Sequence, residues 1–452
     1  METTMDYRAL AQEVVERAKR AGADEADVWV QTETEFSVQV RKGEIETLSQ
    51  ASSKGLGLRL FKDKRLGFVS TSDFTPDALE RLIETTLGIA AFADPKDENA
   101  LADTDPAFAF PNLALYDPAI EAVPTETKIE MAIACERAAF EADERITNSE
   151  GAGFGSVAGE TVLANSQGLV ASYRSSSCSL YCQPLAEQDG KKQVDYDYAY
   201  VREWDKMEDA EAIGRRAAER VLRKLGARKV PTQSAPIVFD RRIASRVWAE
   251  VLGAVNGDAV YKGMSYLRDR LGDTVASEIV TLVDDGAIVG GVGSAPFDGE
   301  GLPTQRNVII ENGMLKMFLY DTLTARKVGG GAKSTHNARR STGGAGGIGA
   351  FNLLLLPGEQ SPEALIGAIS NGFLVTSVMG GGANTVTGDY SIGASGLWIE
   401  DGKPTFAVEE VTIAGTMDSI LKGIDRIAND LVFHGNIVSP TFSVAEMTIA
   451  GL

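Results

Sequence analysis

The chain has 452 residues, of which 44 are basic and 64 acidic, and its formal net charge at pH 7 is -20. Its length predicts two or three domains, and a surface this negative argues against nucleic-acid binding through a broad basic face. No apolar run is long enough for a membrane-spanning helix, and the first residues lack the basic flank and apolar core of a secretory signal. We therefore expect a cytoplasmic, multidomain protein that binds neither membranes nor nucleic acids.

Residues 1–93 predict an N-terminal α+β lobe. Apolar residues at helical spacing favour a helix over 6–21, and alternating apolar runs punctuated by glycines predict antiparallel strands over 28–67. Thr75 precedes Pro76, a pair that is typical of a helix start with a capping hydroxyl and a proline in the first turn. The order of helix, strands and helix indicates an α+β unit and argues against a Rossmann-type sheet.

Residues 94–118 are rich in proline, aspartate and alanine, which predicts an extended linker or a connection that follows the surface. Residues 119–230 then predict a central α+β lobe, with a helix over 125–142, several strands and a second long helix. We expect Asp205 to cap this second helix and Gly226 to end it.

Short β-rich runs alternate with glycine clusters from residue 231 onward, which predicts a β-rich C-terminal domain over 231–452. The sequence Glu-Val-Thr-Ile-Ala-Gly at 410–415 returns as Glu-Met-Thr-Ile-Ala-Gly at 446–451. Each copy predicts a strand that ends in a glycine, and we expect both strands in one β layer. The fold class predicted for the whole chain is α+β.

Histidine is the scarcest metal-ligating residue, because the chain contains only His336 and His434. Two histidines exclude a three-histidine zinc centre, and neither lies in a local H-x-x-x-H or H-E-x-x-H pattern. Cys178 and Cys182 are expected on one sheet face and Cys135 in the core, without the spacing of a zinc knuckle. The sequence therefore predicts no metal site within this chain.

The glycine clusters do not match known phosphate-binding motifs. The segment 329–335 lacks two glycines of the P-loop template, and the segment 343–349 precedes a predicted strand instead of a helix. Both are expected to be either surface loops or places where two backbones approach closely. Ser334 lies near His336, but neighbouring side chains of an extended chain point apart, which argues against a serine nucleophile here.

Residues 387–400 combine small, polar and aromatic side chains in a turn followed by a strand. Asn384 and Tyr390 could offer hydrogen bonds to the main chain of a bound peptide, in which case the segment would line a channel. Structural packing explains the same composition equally well.

Six groups of residues, in order along nearly the whole chain, resemble the TldD/PmbA family and specifically its PmbA (TldE) branch. They are Gly55-Leu56-Gly57-Leu58-Arg59 with Gly67-Phe68, Ala164-Asn165-Ser166-Gln167-Gly168, Ala295-Pro296-Phe297-Asp298-Gly299-Glu300-Gly301, Ala325-Arg326-Lys327, Thr387-Gly388-Asp389-Tyr390-Ser391 and the two Thr-Ile-Ala-Gly endings. Each group is weak by itself, whereas the ordered set is specific.

The resemblance implies N-terminal α/β lobes with curved antiparallel sheets and helices, followed by a barrel-like C-terminal domain. It also implies a cytosolic heteromeric peptidase, in which a TldD-like subunit carries a zinc-type site and a TldE-like subunit closes a channel for unfolded peptides. Such pairs are associated with trimming the leader peptides of modified peptide antibiotics and with degrading an antitoxin. The branch is also called a modulator of DNA gyrase.

The sequence departs from the TldD branch at the metal motif. That branch carries HExxxH on a helix, and the matching stretch here places Ala249 and Ala254 at the two ligand positions. A methyl group cannot coordinate a metal, although Glu250 persists at the general-base position. The region 429–440, where the family's cysteine ligand is expected, contains no cysteine, and His434 lies there.

The resemblance and this departure together predict a metal-free subunit that acts with a TldD-like, HExxxH-bearing partner on unfolded peptides. The zinc-type metal would belong to the partner, and this chain would need no cofactor. The residues predicted to form its part of the channel wall are Asn384, Asp389, Tyr390, Ser391 and Gly393. Two alternatives remain, namely a homodimeric binding or regulatory protein, and a self-sufficient hydrolase that uses Ser334, Ser391 or another hydroxyl.

Overall fold

The computed structural model describes residues 5–451, and its N-terminal part has the predicted order of helix, strands and helix. The elements are α1 (Tyr7–Arg20), β1 (Glu25–Arg41), β2 (Glu44–Lys62), β3 (Arg65–Thr71) and α2 (Pro76–Phe92). Asp6 caps α1, because its carboxylate accepts hydrogen bonds from the amides of Arg8 and Ala9. The expected cap of α2 is wrong: the Thr75 hydroxyl makes no capping hydrogen bond, although Pro76 does begin the helix.

No helix or strand is formed between α2 and residue 118. Arg326 binds this segment from the C-terminal part of the chain, donating hydrogen bonds to the carbonyls of Glu98, Ala100 and Leu101 at 2.7–3.3 Å. The segment is therefore tied to the C-terminal part of the chain, and its role as a linker stays a prediction.

The central part contains α3 (Pro118–Ala122), α4 (Thr125–Ala142), β4 (Ile146–Asn165), β5 (Val170–Gln188), β6 (Lys191–Val194), β7 (Asp197–Val201) and α5 (Ala210–Leu222). The expected cap of the last helix is wrong. Asp205 lies in a short 3-10 turn, and Asp209 is the residue whose carboxylate accepts a hydrogen bond from the Ala212 amide at 2.9 Å.

A single sheet joins the two lobes, with its strands in the order β3-β2-β1-β4-β5-β6 and with β7 paired to β5. Strands β1 and β4 pair antiparallel from Asp27 opposite Asn165 to Val40 opposite Ala152. Strand β1 contributes residues to two hydrophobic cores. Its first half packs against α1 and α2, and its second half packs against α4 and α5. The domain limits 1–93 and 119–230 stay a prediction, since the hydrogen-bonded sheet runs across them.

The C-terminal part begins with β8 (Gln233–Phe239), α6 (Arg241–Val255), α7 (Gly257–Tyr261), β9 (Leu282–Asp285), β10 (Arg306–Glu311), β11 (Met314–Leu315) and α8 (Thr322–Val328). It continues with β12 (Ala338–Ser341), β13 (Gly344–Ile348), β14 (Leu353–Leu355), α9 (Pro362–Gly367), β15 (Asn371–Ala383) and β16 (Asp389–Glu400). It ends with β17 (Lys403–Thr416), α10 (Met417–Lys422), β18 (Ile424–Ile427), β19 (Ile437–Val438) and β20 (Phe442–Ala450).

Five of these strands close a barrel in the order β17-β16-β15-β8-β20, because β20 pairs back to β17, and β18 extends it beyond β20. The closing pair contains the two repeated sequences, and Ile413 lies opposite Ile449 there. A second sheet has the order β11-β10-β9-β14-β19. The predicted α+β fold, with curved antiparallel sheets and a barrel-like C-terminal domain, is therefore confirmed.

The hairpin of β12 and β13 connects the barrel domain to the N-terminal sheet. The glycine cluster 343–349, for which a loop was one expectation, forms strand β13 and adjoining residues. On β12, Arg340 Nη1 donates to Asp27 Oδ1 at 2.7 Å, and Arg59 Nη2 donates to Asp27 Oδ2 at 2.5 Å. The side chains of Arg340 and Asp27 are 1% and 2% exposed, so this ion pair is buried between the two parts of the chain.

No helix within residues 5–451 is both long and apolar enough to cross a membrane.

Candidate functional site

Residues 249–254, which the resemblance matches to the metal motif of the TldD branch, lie on helix α6. Asp240 caps the helix by accepting a hydrogen bond from the Arg242 amide at 3.0 Å, and a stripe of apolar residues faces the core. Ala249 is exposed, Glu250 is half-buried and Ala254 is fully buried. The three motif positions therefore have different environments, and only the first two reach the surface.

The channel-wall residues predicted from the sequence lie on the hairpin of β15 and β16. Asn384 Oδ1 accepts hydrogen bonds from the amides of Val386 and Thr387 at 2.9 and 3.3 Å. The hydroxyl of Thr387 in turn donates to Asp389 Oδ2 at 2.7 Å. Both predicted side chains are exposed, but their oxygens hold the turn between the strands.

The other three predicted residues follow on β16, and they differ in burial. Tyr390 is only 2% exposed and belongs to the main hydrophobic core, whereas Ser391 is exposed and Gly393 half-buried. Burial raises the pKa of Tyr390, and the nearby negative charge of Glu250 raises it further. A Cβ at Gly393 would lie 2.9 Å from the Met379 carbonyl, so glycine permits the close approach of the two strands.

Glu250 lies where helix α6 meets the hairpin of β15 and β16. A Cβ at Gly382 would lie 2.5 Å from Glu250 Oε1, so the carboxylate contacts the bare backbone of β15. Tyr266 lies beside them, with its amide donating to the Thr385 carbonyl at 2.8 Å. Its hydroxyl is buried without a hydrogen-bond partner among the described residues, and burial raises its pKa. The sequence analysis missed Gly382 and Tyr266, although the glycine run 380–382 was a signal for close backbone contact.

Along most of its length, one edge of β15 beside this helix has no paired strand within residues 5–451. On that side, within the described part of the chain, β15 pairs only with β8, and the pairing covers only Phe373 to Val375. Residues 376–383 therefore carry no neighbouring strand on that side in the part of the chain that the structure describes. Met379, which lies on this stretch, is 77% exposed. An unpaired strand edge presents main-chain donors and acceptors that an extended peptide can bind.

The residues near Glu250 do not fit a hydrolytic metal. Ala249 and Ala254 offer no donor atom, and zinc needs nitrogen, sulfur or oxygen ligands. His434 lies elsewhere, with its ring centre 5.0 Å from that of Tyr198 on β7, and His336 Nδ1 lies 2.6 Å from the Pro303 carbonyl oxygen. Among residues 5–451, no three histidine, cysteine, aspartate or glutamate side chains are grouped so that they could hold a metal.

Neither of the two serines considered for a self-sufficient hydrolase contacts a suitable base among the described residues. Ser334 Oγ donates to the Tyr320 carbonyl at 3.3 Å and accepts from the His336 amide at 3.1 Å. The His336 ring contacts the Pro303 carbonyl instead of this hydroxyl. Ser391 is exposed on β16. Neither arrangement is that of a serine nucleophile with its base.

The barrel, the shared sheet and the glutamate-bearing helix together define a protein of the PmbA/TldA metallopeptidase type. The sequence matches the PmbA/TldA metallopeptidase domain 1 at residues 26–90, the central domain at 118–225 and the C-terminal domain at 232–451. This chain therefore belongs to the PmbA/TldD family.

Relatives and solved structures agree with this assignment. The chain is 36% identical to "Metalloprotease PmbA homolog" of Haemophilus influenzae, covering 97% of this chain and 94% of the relative. It is also 36% identical to "Metalloprotease PmbA" of Escherichia coli O157:H7, covering 95% and 93%. The crystal structure of a proposed modulator of DNA gyrase from Bacteroides thetaiotaomicron superimposes with a TM-score of 0.92 at 29% identity, covering 100% of both chains. TldE from Thermococcus kodakarensis has the same fold, with a TM-score of 0.88 at 23% identity, covering 98% and 100%.

Proposed function

We propose that this chain is the metal-free subunit of a cytosolic metallopeptidase of the TldD/TldE type. A TldD-like, HExxxH-bearing partner would supply a zinc-type metal and the hydrolysis of amide bonds in unfolded peptides, such as leader peptides or an antitoxin. The names of the relatives support a role in proteolysis. The alanines at positions 249 and 254 support the assignment of the metal to the partner.

The observation that carries the proposal is the free edge of β15 beside Glu250. A peptide laid along residues 376–383 would form main-chain hydrogen bonds, and such bonds do not depend on the peptide's sequence. The exposed Asp389 and Ser391 and the half-buried Gly393 would complete the wall. In this proposal Tyr390 shapes the wall from beneath by packing in the core, and Asn384 holds the turn.

The experiment combines this chain with a TldD-like, HExxxH-bearing homologue and follows cleavage of an unfolded peptide. We expect cleavage only when both chains are present, and we expect a chelator to abolish it. Cleavage by this chain alone that resists the chelator would favour the self-sufficient serine hydrolase. Absence of cleavage with a partner that forms a stable complex would favour a homodimeric binding or regulatory protein.

A variant at the strand edge tests the channel role separately. Met379→Asp places a charge on the free edge, where charged residues oppose pairing with another strand. We expect kcat/KM of the pair for the peptide to fall while the complex still assembles. The matched control is Met314→Asp, which changes another exposed methionine on β11 of the second sheet. An equal fall in both variants would contradict a role for the β15 edge.

A further inference from the structure

A polar cavity of about 390 Å³ lies between the central lobe and the barrel domain. Helix α5 contributes Arg216 and Arg220, and the first turn of α6 contributes Arg241 and Arg242. The remaining wall includes the start of β7, the residues before α5 and the segment 432–439. Four guanidinium groups converge on this cavity, although the chain as a whole carries a net charge of -20.

The carboxylates in the cavity wall neutralise only part of this charge. Asp197 accepts a hydrogen bond from Arg216 Nε at 2.7 Å, and it lies 3.2 Å from Arg220 Nη2. Glu208 lies 2.8 Å from Arg216 Nη1. These two acids are thus shared by the two arginines of α5. The two arginines of α6 add further positive charge to the same cavity.

Several buried arginine donors in the cavity wall remain without an acceptor. Among the described residues, Arg220 Nη1 and both Nε and Nη1 of Arg242 have no hydrogen-bond partner. The Arg242 side chain is 10% exposed, and its one hydrogen bond to a described residue runs from Nη2 to the Tyr196 carbonyl at 2.7 Å. Nη1 lies 3.6 Å from the Asp195 carboxylate, too far for a good hydrogen bond. Buried donors normally find acceptors, so these N–H groups are available to an acceptor bound in the cavity.

The arginines in the wall favour an oxygen-rich anion as that acceptor, and the Tyr198 hydroxyl offers one more donor. Burial lowers the pKa of His434, and the charge of Arg241 lowers it further, which favours the neutral ring. Burial raises the pKa of Tyr198, so its hydroxyl keeps its proton and can donate. Guanidinium groups bind carboxylate and phosphate through paired N–H donors, which suits arginines whose N–H groups are free.

We propose that this cavity binds an oxyanion, either a carboxylate or a phosphate group, through Arg220, Arg241 and Arg242. The site is separate from the β15 edge, and its existence does not depend on the proposed peptidase role. The two sources of such a group are a free small anion and an acidic group of a peptide. The proposal is therefore tested on the intact chain alone, without a partner or an activity assay.

The experiment is calorimetric titration of the chain with three probes at constant ionic strength: inorganic phosphate, N-acetyl-glutamate amide and chloride. We expect one saturable site for phosphate or for the glutamate derivative and none for chloride. Binding of phosphate alone would identify a free-anion site, and binding of the glutamate derivative would identify a peptide-carboxylate site. Failure of both oxyanions to bind would overturn the proposal.

Two variants locate the site, and a third serves as the control. Arg220→Gln and Arg241→Gln should each weaken binding at least about tenfold, the effect of losing one charged hydrogen bond. Among the described residues, the Arg241 side chain makes one hydrogen bond, a long one of 3.5 Å to the Asp430 carbonyl, so its substitution keeps the test valid if Arg220→Gln fails to fold. Arg215→Gln removes the same charge from an exposed site on α5 outside the cavity. Equal weakening by Arg215→Gln would show general electrostatic attraction and would contradict a built site.

Discussion

Replacement of Arg340 by methionine tests whether the buried ion pair holds the barrel domain to the N-terminal sheet. The substitution keeps much of the side chain's length and removes its charge, so Asp27 loses the hydrogen bond to Nη1. The Gly57 carbonyl also loses the donor at 3.3 Å that Nη2 supplies. Asp27 would then remain buried, and Arg59 would be its only ionic partner among residues 5–451.

The expected cost follows from this geometry. Removal of one partner from a buried ion pair destabilises proteins by about 3–5 kcal/mol, because a charge is left without compensation. Arg59 still binds Asp27 Oδ2 at 2.5 Å, so we expect the lower end, about 3 kcal/mol. Burial acts to raise the pKa of Asp27, but the charges of Arg340 and Arg59 hold it below its ordinary value. The pair therefore stabilises the fold at neutral pH, and this contribution is lost as the pH falls through the lowered pKa.

The free energy of unfolding is measured by urea denaturation at pH 7 and again in acid, where the difference between wild type and Arg340→Met should shrink. Arg339→Met is the matched control, because it removes the same charge from the next residue, which is exposed. We expect this control to cost less than about 1 kcal/mol. A loss below about 1 kcal/mol for Arg340→Met, or equal losses for the two variants, would refute the reasoning.

Three further predictions concern the core, the barrel and the strand edge. Burial raises the pKa of Asp298 from 3.8 to about 8, so the folded state binds this proton more tightly and the unfolding free energy falls as pH rises across that range. Asp298→Asn should flatten the fall in urea titrations at several pH values, and an unchanged slope would contradict this. Ile413→Ala should cost about 2–5 kcal/mol, and a double variant with Ile449→Ala should cost less than the sum, since the two residues lie opposite each other. Gly381→Ala should lower peptide cleavage by the pair more than Gly380→Ala does. A Cβ at Gly381 would lie 2.1 Å from the Ser391 carbonyl oxygen on β16, whereas a Cβ at Gly380 would meet no atom within 4 Å.

The sequence predicted best the features that depend on local pattern or on repetition. The repeated Thr-Ile-Ala-Gly endings predicted two strands in one β layer, and β17 and β20 are adjacent in the barrel. Amphipathic spacing predicted helices close to α1 and α4. Caps were less predictable, because Asp205 and Asp209 precede the same helix and only the three-dimensional path of the intervening 3-10 turn selects Asp209.

Features that depend on long-range pairing were not predictable from one sequence. Alternation shows that a segment is a strand, but it does not show that β1 continues through both lobes and pairs with β4. The candidate site has the same limitation. Glu250 was found from the motif, whereas Gly382 and Tyr266 become its neighbours only when the barrel hairpin packs against α6.

The sheet shared by the two lobes has a consequence for how the protein can be divided. A fragment that ends at residue 93 would leave β1 unprotected from Asp27 to Val40, and bare strand edges of this length promote self-association. Its second core would also be missing, because α4 and α5 cover that half of the strand. The first 93 residues are therefore not expected to fold as an independent domain. Any chimera between relatives must preserve the register of β1 against β4.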